Sequence, residues 1–452
     1  MAGTSQLRQG LSQRQLSMIA LGGVIGAGLF VGSGVVIKDT GPAAFLTYAL
    51  CGLLVVLVMR MLGEMAAANP STGSFADYAA SALGRWAGFS VAWLYWYFWV
   101  IVVGFEAVAG GKVLTYWLHA PLWALSLGLM VLMTATNLFS VTSFGEFEFW
   151  FAGIKVAAIA IFLAVGAVYV LGLVPGHPGG LANLHAHGGF FPHGVGAVFA
   201  AIVVVIFSMV GAEIVTVAAA ESRDPELAVQ RATRSVVVRI GIFFVGSVFL
   251  LVAILPWDSG QLGGSPYVAA LKHLGLPGAD QVMNAVVLTA VLSCLNSGLY
   301  TASRMLFVLA DRGEAPMRLV QLSGRGVPHL AILCSSAVGF GCVIMARVAP
   351  HTVFLFLLNS SGAVILFVYW VIALSQIVLR RRTPADKLTV KMWFFPVLSI
   401  LTLAGITAVL VQMAFDQRAR SQLWLGLLSW AVVIGLYVVA RRRGRVGVAP
   451  GD

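Results

Sequence analysis

The chain has 452 residues, 60% of them hydrophobic and 10% charged, with a net charge of +11 and a mean hydropathy of +0.94. A soluble domain carries about 25% charged residues, so this many charges cannot cover a water-facing surface, and a set of soluble domains is excluded. Apolar runs of about 20 residues recur along the whole length, each long enough to cross a ~30 Å hydrocarbon core as a helix.

About twelve spans are predicted, near 16–37, 42–67, 90–118, 121–140, 147–173, 194–220, 235–256, 281–310, 328–348, 353–379, 394–414 and 421–441. Residues 1–15 form a polar tail that runs into the first span without a small-residue cleavage site, so no cleavable signal peptide is expected. The first span reads LGGVIGAGLFVGSG from Leu21 to Gly34, with Gly22, Gly23, Gly26, Gly28, Gly32 and Gly34. A dinucleotide fingerprint needs a strand before it and a βαβ unit around it, and neither is present. Two readings remain: close helix packing through small residues, or a helix unwound at glycine whose freed amides face a ligand. In the second, a half-helix starting near Ala27–Leu29 turns its positive end toward a carboxylate.

The third span carries Trp93, Tyr95, Trp96, Tyr97, Phe98 and Trp99, some of them expected in an interfacial aromatic belt. It also carries Glu106. The fifth span holds Lys155, roughly two turns beyond Glu146 and Glu148. Charge inside a span is costly and marks function. At that depth Lys155 loses much of its hydration, which brings proton exchange within physiological reach; the alternative is a snorkelling or paired structural lysine.

Residues 175–193 are rich in Gly, Pro and His, with His177, His185, His187 and His193. No Cys, Asp or Glu joins this cluster in sequence, which favours a solvated loop over a metal site. The sixth span reads VIFSMVGAEIVTVAAAES from Val205 to Ser222, with Ser208 and Gly211 mid-membrane and Glu213 after them. Two glycine-interrupted helices opening the two halves point to an inverted-repeat transporter with its site between them. Glu221, beside Arg223 and Asp224, is read as a gate or a surface ion pair. Residues 258–280 are long enough for a short surface helix over the entrance. The eighth span, LSCLNSGLYTASRML, sets Ser293, Asn296, Ser297 and Thr301 along a polar face. That face either packs by hydrogen bonding or shares a proton or cation site with Lys155 and first-span carbonyls.

Cys51, Cys294, Cys334 and Cys342 all fall within apolar runs and are read as buried small hydrophobes. Most of the 28 Lys and Arg, including Arg60, Arg85, Arg231, Arg312 and Arg380–Arg382, fall on the side of the N-terminus. By the positive-inside rule both termini are cytoplasmic. The same placement accounts for the net charge without a nucleic-acid partner.

At GGVIGAGLFVGSG, GPAAFLTYALCGLLVVLVMRMLGEMAAANPSTGSFADYA, GEFEFWFAGIKV, FSMVGAEIVTVAAAES and SCLNSGLYTASRML the chain resembles the amino acid–polyamine–organocation superfamily, and within it the bacterial amino acid permeases. LYWYFWVIVVGFEA and FSMVGAEIVTVAAAES carry a narrower resemblance to 4-aminobutyrate permeases. The match weakens after about residue 385. The resemblance implies an all-α, LeuT-like fold: inverted five-helix repeats over 16–173 and 194–379, two further helices over 394–441, and a cytoplasmic basic tail over 442–452. It implies a substrate site at Val24, Ile25, Gly26, Ala27 and Gly28 on the first helix and at Phe207, Ser208, Val210, Gly211 and Ala212 on the sixth, with Phe207 closing over the substrate. Glu106 is a further candidate for a long ω-amino acid.

Lys155 matches a lysine that stands in for a sodium ion in proton-driven relatives, with Ser293, Asn296 and Ser297 on the facing helix. Glu213 and Glu221 are gating or structural charges. The expected activity is import of a small amino acid with a proton across the bacterial cytoplasmic membrane, 4-aminobutyrate first, with no cofactor, no metal and no enzymatic chemistry. The alternatives are another amino acid, such as proline or an aromatic one, or an uncoupled exchanger. Substrate choice is the looser inference, because Ala27 and Gly28 stand where small residues vary within the family.

Overall fold

The computed structural model describes residues 25–69, 74–139, 141–173, 179–211, 213, 234–324, 326–349, 352–417 and 419–442. The expected site residues Val24, Ala212 and Glu221, together with Gly22, Gly23 and His177, lie outside the described residues.

Every regular element among the described residues is helical. The chain runs through α1 (Ala27–Phe30), α2 (Gly32–Thr40), α3 (Ala44–Ala68), α4 (Ser74–Leu83), α5 (Arg85–Leu114), α6 (Leu122–Phe139) and α7 (Val141–Val170). It continues through α8 (Val195–Ala200), α9 (Ile202–Phe207), a π-helical turn at Ile240–Gly246 leading into α10 (Ser247–Ile254), and α11 (Pro266–His273). Last come α12 (Ala279–Asp311), α13 (His329–Val348), α14 (Val353–Arg382), α15 (Val397–Phe415) and α16 (Arg420–Arg442).

Ten helical runs among the described residues are long and apolar enough to cross a membrane. The expected first and second spans fall in a single run, Ala27–Ala68, which turns through a 3-10 segment at Gly41–Ala43. Gly41 sits there at φ +71, a conformation that favours glycine. The expected sixth span is represented by the shorter apolar run Val195–Phe207, because the sequence after Gly211 lies almost wholly outside the described residues.

Helix α5 is the centre of the bundle. Its apolar stretch is 83% buried, against 17% for α16, which faces outward. The burial of α5 narrows which of its rings can belong to an aromatic belt. Tyr95, Phe98 and Trp99 are at most 4% exposed and pack into the protein, so these rings serve the interior and not the lipid interface. Of the four cysteines, Cys51, Cys294 and Cys342 are buried, whereas Cys334 lies on an exposed face of α13.

The 258–280 segment forms a 3-10 turn at Gly260–Gly263 followed by α11, a short helix as expected but not a surface one: Pro266, Tyr267, Ala269, Ala270 and Leu271 are buried, and the Tyr267 ring packs against Phe30 and Phe162. An acid does join the histidine loop, contrary to the sequence reading: His187 Nδ1 lies 3.0 Å from Asp258 Oδ2, and the Trp257 indole donates to the His187 carbonyl. Asp258 is distant in sequence, and the fold supplies it.

At one end of the bundle a buried carboxylate, Glu64 on α3, ties three segments together. It accepts from Gln376 Nε2 at 2.8 Å, from the Arg380 guanidinium, and from the Met392 amide. Removing one member of a buried charge pair strands the other, at a cost of about 3–5 kcal/mol. Glu64→Ala should therefore lower the thermal unfolding midpoint of the detergent-solubilised protein by several degrees, while Glu64→Gln should lose less.

Candidate functional site

The first break is local chemistry at glycine. Gly26 is extended, at φ −132 and ψ −156, and caps α1. The Leu29 and Phe30 amides return to the Gly26 carbonyl at 3.2 and 3.3 Å. Val31 then interrupts the helix before α2 begins. Ile25 is fully buried behind the break.

The second break ends α9. Phe207 is its last residue, and turn bonds run only as far as the Met209 amide on the Ile206 carbonyl. The chain then passes through Gly211 at φ +105.

The two breaks touch. A Cβ on Gly28 would stand 2.8 Å from Ser208 Cβ and 3.1 Å from Phe207 Cδ1. A Cβ on Gly26 would stand 2.6 Å from Glu106 Oε1 and 2.8 Å from Cys294 Sγ. Only hydrogen fits at either place, so packing and unwinding, posed as alternatives for this motif, operate together.

The amide expected to meet a substrate carboxylate already holds one. Ala27 N–H donates to both carboxylate oxygens of Glu106, at 3.1 and 3.2 Å. Glu106 is 1% exposed. The Ala27 amide is thereby satisfied within the protein. Glu213, 1% exposed, plays a matching part at the second break. It accepts from the Gly211 amide at 3.0 Å, from Tyr95 Oη at 2.9 Å and from Tyr369 Oη at 3.2 Å. These bonds tie the segment after α9 to α5 and α14.

Gly26, Gly28, Glu106, Phe207, Ser208 and Val210 line one cavity, as do Phe98, Trp99 and Cys294, which sequence reasoning missed. The cavity measures about 20 Å³, room for about one water and far below the ~300 Å³ at which ligand pockets begin. A larger vestibule of about 1650 Å³, lined by Lys38, Lys112, Asp258 and Phe354 among others, opens above it. Three rings separate the two: Phe105 packs at 4.7 Å against Phe207 on one side and at 4.7 Å against Phe354 on the other. Lys112 Nζ sits 5.5 Å from the Phe354 ring centre and donates to the Gly263 carbonyl at 2.6 Å. Nothing in the sequence singled out Phe105 or Phe354 from the chain's 27 phenylalanines.

Lys155 is fully buried on α7 and donates to Ser293 Oγ at 2.8 Å. Ser293 donates in turn to Glu148 Oε1 at 2.6 Å, and Lys155 Nζ lies 3.9 Å from the same oxygen. The rest of the expected polar face does not converge here. Asn296 Oδ1 is taken by Asn137 Nδ2 at 2.7 Å, a tie between α12 and α6. Ser297 Oγ is buried with no hydrogen-bond partner among the described residues. Glu148 was legible as a partner: it lies two turns before Lys155 and so shares its helix face.

Comparison with known proteins identifies the family. The family described as "Amino acid permease" matches residues 15–444. The chain is 53% identical over 444 residues to the gamma-aminobutyric acid permease of Bacillus subtilis, covering 97% of this chain and 95% of that one. It is 45% identical over 444 residues to the gamma-aminobutyric acid permease of Escherichia coli, covering 96% and 95%, and 41% identical over 440 residues to the aromatic amino acid transport protein AroP of Corynebacterium glutamicum, covering 96% and 94%. A solved point mutant of the manganese transporter of Eremococcus coleocola shares the fold with a TM-score of 0.60 at 12% identity, covering 95% of this chain and 94% of that one. Broken apolar helices, a buried cavity between them and a match over nearly the whole length together establish that the chain belongs to the amino acid permease family, a group of multi-pass membrane proteins.

Proposed function

We propose that this permease imports 4-aminobutyrate together with a proton, from the side of the vestibule to the cytoplasm. The observation that carries the coupling is the wholly buried Lys155–Ser293–Glu148 cluster, one helix face away from the cavity. A fully buried lysine beside an acid is suited to gaining and losing a proton as access alternates. The substrate assignment draws on the names of the relatives, two of which at 53% and 45% identity are gamma-aminobutyric acid permeases. An aromatic amino acid transporter at 41% identity keeps that class as the second reading.

In this mechanism the basic residues set the vestibule outside, and spans 16–173 and 194–379 act as the two repeats. The substrate carboxylate takes the Ala27 and Gly28 amides in exchange with Glu106. The ammonium of a four-carbon ω-amino acid reaches the carbonyls at Phe207–Val210, with the released Glu106 carboxylate nearby. Phe207, braced by Phe105, moves aside for entry and returns over the substrate. A zwitterion travelling with a proton carries net charge, so a membrane potential adds about 2.3 kcal/mol per 100 mV.

In proteoliposomes, uptake across a panel of labelled amino acids should be highest for 4-aminobutyrate. Accumulation of proline or an aromatic amino acid in its place would overturn the substrate assignment. Proton uptake should accompany substrate addition; its absence would leave an uncoupled exchanger. Lys155→Ala should abolish pH-driven uptake in a folded protein, and full accumulation in that variant would remove Lys155 from the coupling step. Gly28→Val should weaken substrate affinity by at least about tenfold, or ~1.4 kcal/mol, because its side chain forces apart the two breaks. Unchanged affinity would displace the carboxylate from this position.

A further inference from the structure

Glu148 is a buried acid with one carboxylate oxygen engaged and the other unpaired among the described residues. Its side chain is fully buried, and Oε2 has no hydrogen-bond partner among the described residues. Oε1 is engaged by Ser293. Buried acceptors are ordinarily paired, and an idle lone pair at the end of a hydrogen-bond chain suits a group that must take on a proton.

We propose that Ser293 and Glu148 form the exit relay for the coupling proton held by Lys155, a role that rests on the importer reading above. An ammonium has only donors and a carboxylate only acceptors. The hydroxyl between them therefore has one orientation: Ser293 accepts from Lys155 Nζ at 2.8 Å and donates to Glu148 Oε1 at 2.6 Å. The direct Nζ–Oε1 separation of 3.9 Å is beyond hydrogen-bond length, so the hydroxyl is the path. In the transfer, one N–H proton of Lys155 passes to Ser293 Oγ as the Oγ–H proton passes to Oε1. Lys155 ends as a neutral amine, Glu148 as a neutral carboxylic acid, and Ser293 unchanged. An ion pair becomes a neutral pair and no net charge is created in the low-dielectric interior.

The direction of travel follows from position. Glu148 lies two turns before Lys155 on α7, toward the end that the basic residues assign to the cytoplasm. Glu146 at that end is exposed, and the cost of a charge in hydrocarbon sets it at the aqueous edge of the helix. Once that side opens, Glu148 gives its proton to water. Lys155 is reloaded when the outer side opens. The other ionisable groups facing the cluster are Cys294, beside Ser293 on α12, and Glu106 on α5, both of which interact electrostatically with Lys155. Neither stands between Lys155 and Glu148.

The test uses the full-length protein in proteoliposomes and labelled 4-aminobutyrate, or the panel amino acid that the wild type accumulates. Two readouts are compared: pH-driven accumulation, and counterflow, which requires binding and alternation without net proton movement. Glu148→Gln and Ser293→Ala should lower pH-driven accumulation by about a hundredfold, the low end of what a positioned proton-transfer group contributes. Counterflow should continue at close to the wild-type rate. Glu148→Asp and Ser293→Thr, which keep the acid and the hydroxyl, should recover most of the accumulation. Wild-type accumulation in Glu148→Gln or Ser293→Ala overturns the relay. Equal loss of counterflow and accumulation in both also overturns it, by making the pair structural. A wild type without pH-driven uptake overturns the importer reading and the relay together, whereas failure confined to the variants leaves the importer reading standing.

Discussion

Opening a helix inside a hydrocarbon slab frees backbone groups that cost several kcal/mol each when unpaired. This constraint organises the centre of the protein. Each of the two breaks is answered by a glutamate: Ala27 N–H by Glu106, and Gly211 N–H by Glu213. Both answers depend on α5, which supplies Glu106 itself and, through Tyr95, one of the hydroxyls that hold Glu213. The most buried of the ten described membrane-length runs is thus the one against which both broken helices are measured.

The same constraint explains why the small cavity is so small. With Glu106 drawn onto the Ala27 amide and Gly28 pressed on Ser208, the breaks satisfy each other. A ligand must offer those groups at least as much as they already have. A neutral apolar molecule cannot, so on the import reading proposed above the site favours a charged head that can replace a carboxylate.

Much of this was legible in the sequence, and the failures have physical causes. The spans, the first break and its pairing with the second could be read because glycine clusters and hydrocarbon length act locally along the chain. Lys155 and Glu106 could be read because charge inside a span is expensive. The partners of those charges were harder. Ser293, Asn296 and Ser297 look alike as a polar stripe, but α12 meets α7 on one side and α6 on another, so only Ser293 reaches Lys155 while Asn296 meets Asn137. The rings Phe105 and Phe354 were invisible because an aromatic lid has no composition of its own. Asp258 at His187 was missed because loops meet in space, not in sequence.

The vestibule has a consequence for capture. A chamber of about 1650 Å³ holding one solute molecule presents it to the lid at about 1 M, in the sense of an effective concentration. Once inside, a substrate competes with its own escape and no longer with dilution in the bulk. Averaged over time the open chamber holds substrate only at the bulk concentration, so affinity still rests with the inner site, and what the chamber adds is repeated encounters with the lid during each visit. On the import path proposed above, the time the three rings take to part, set against the residence time in the chamber, decides how many visits become passages.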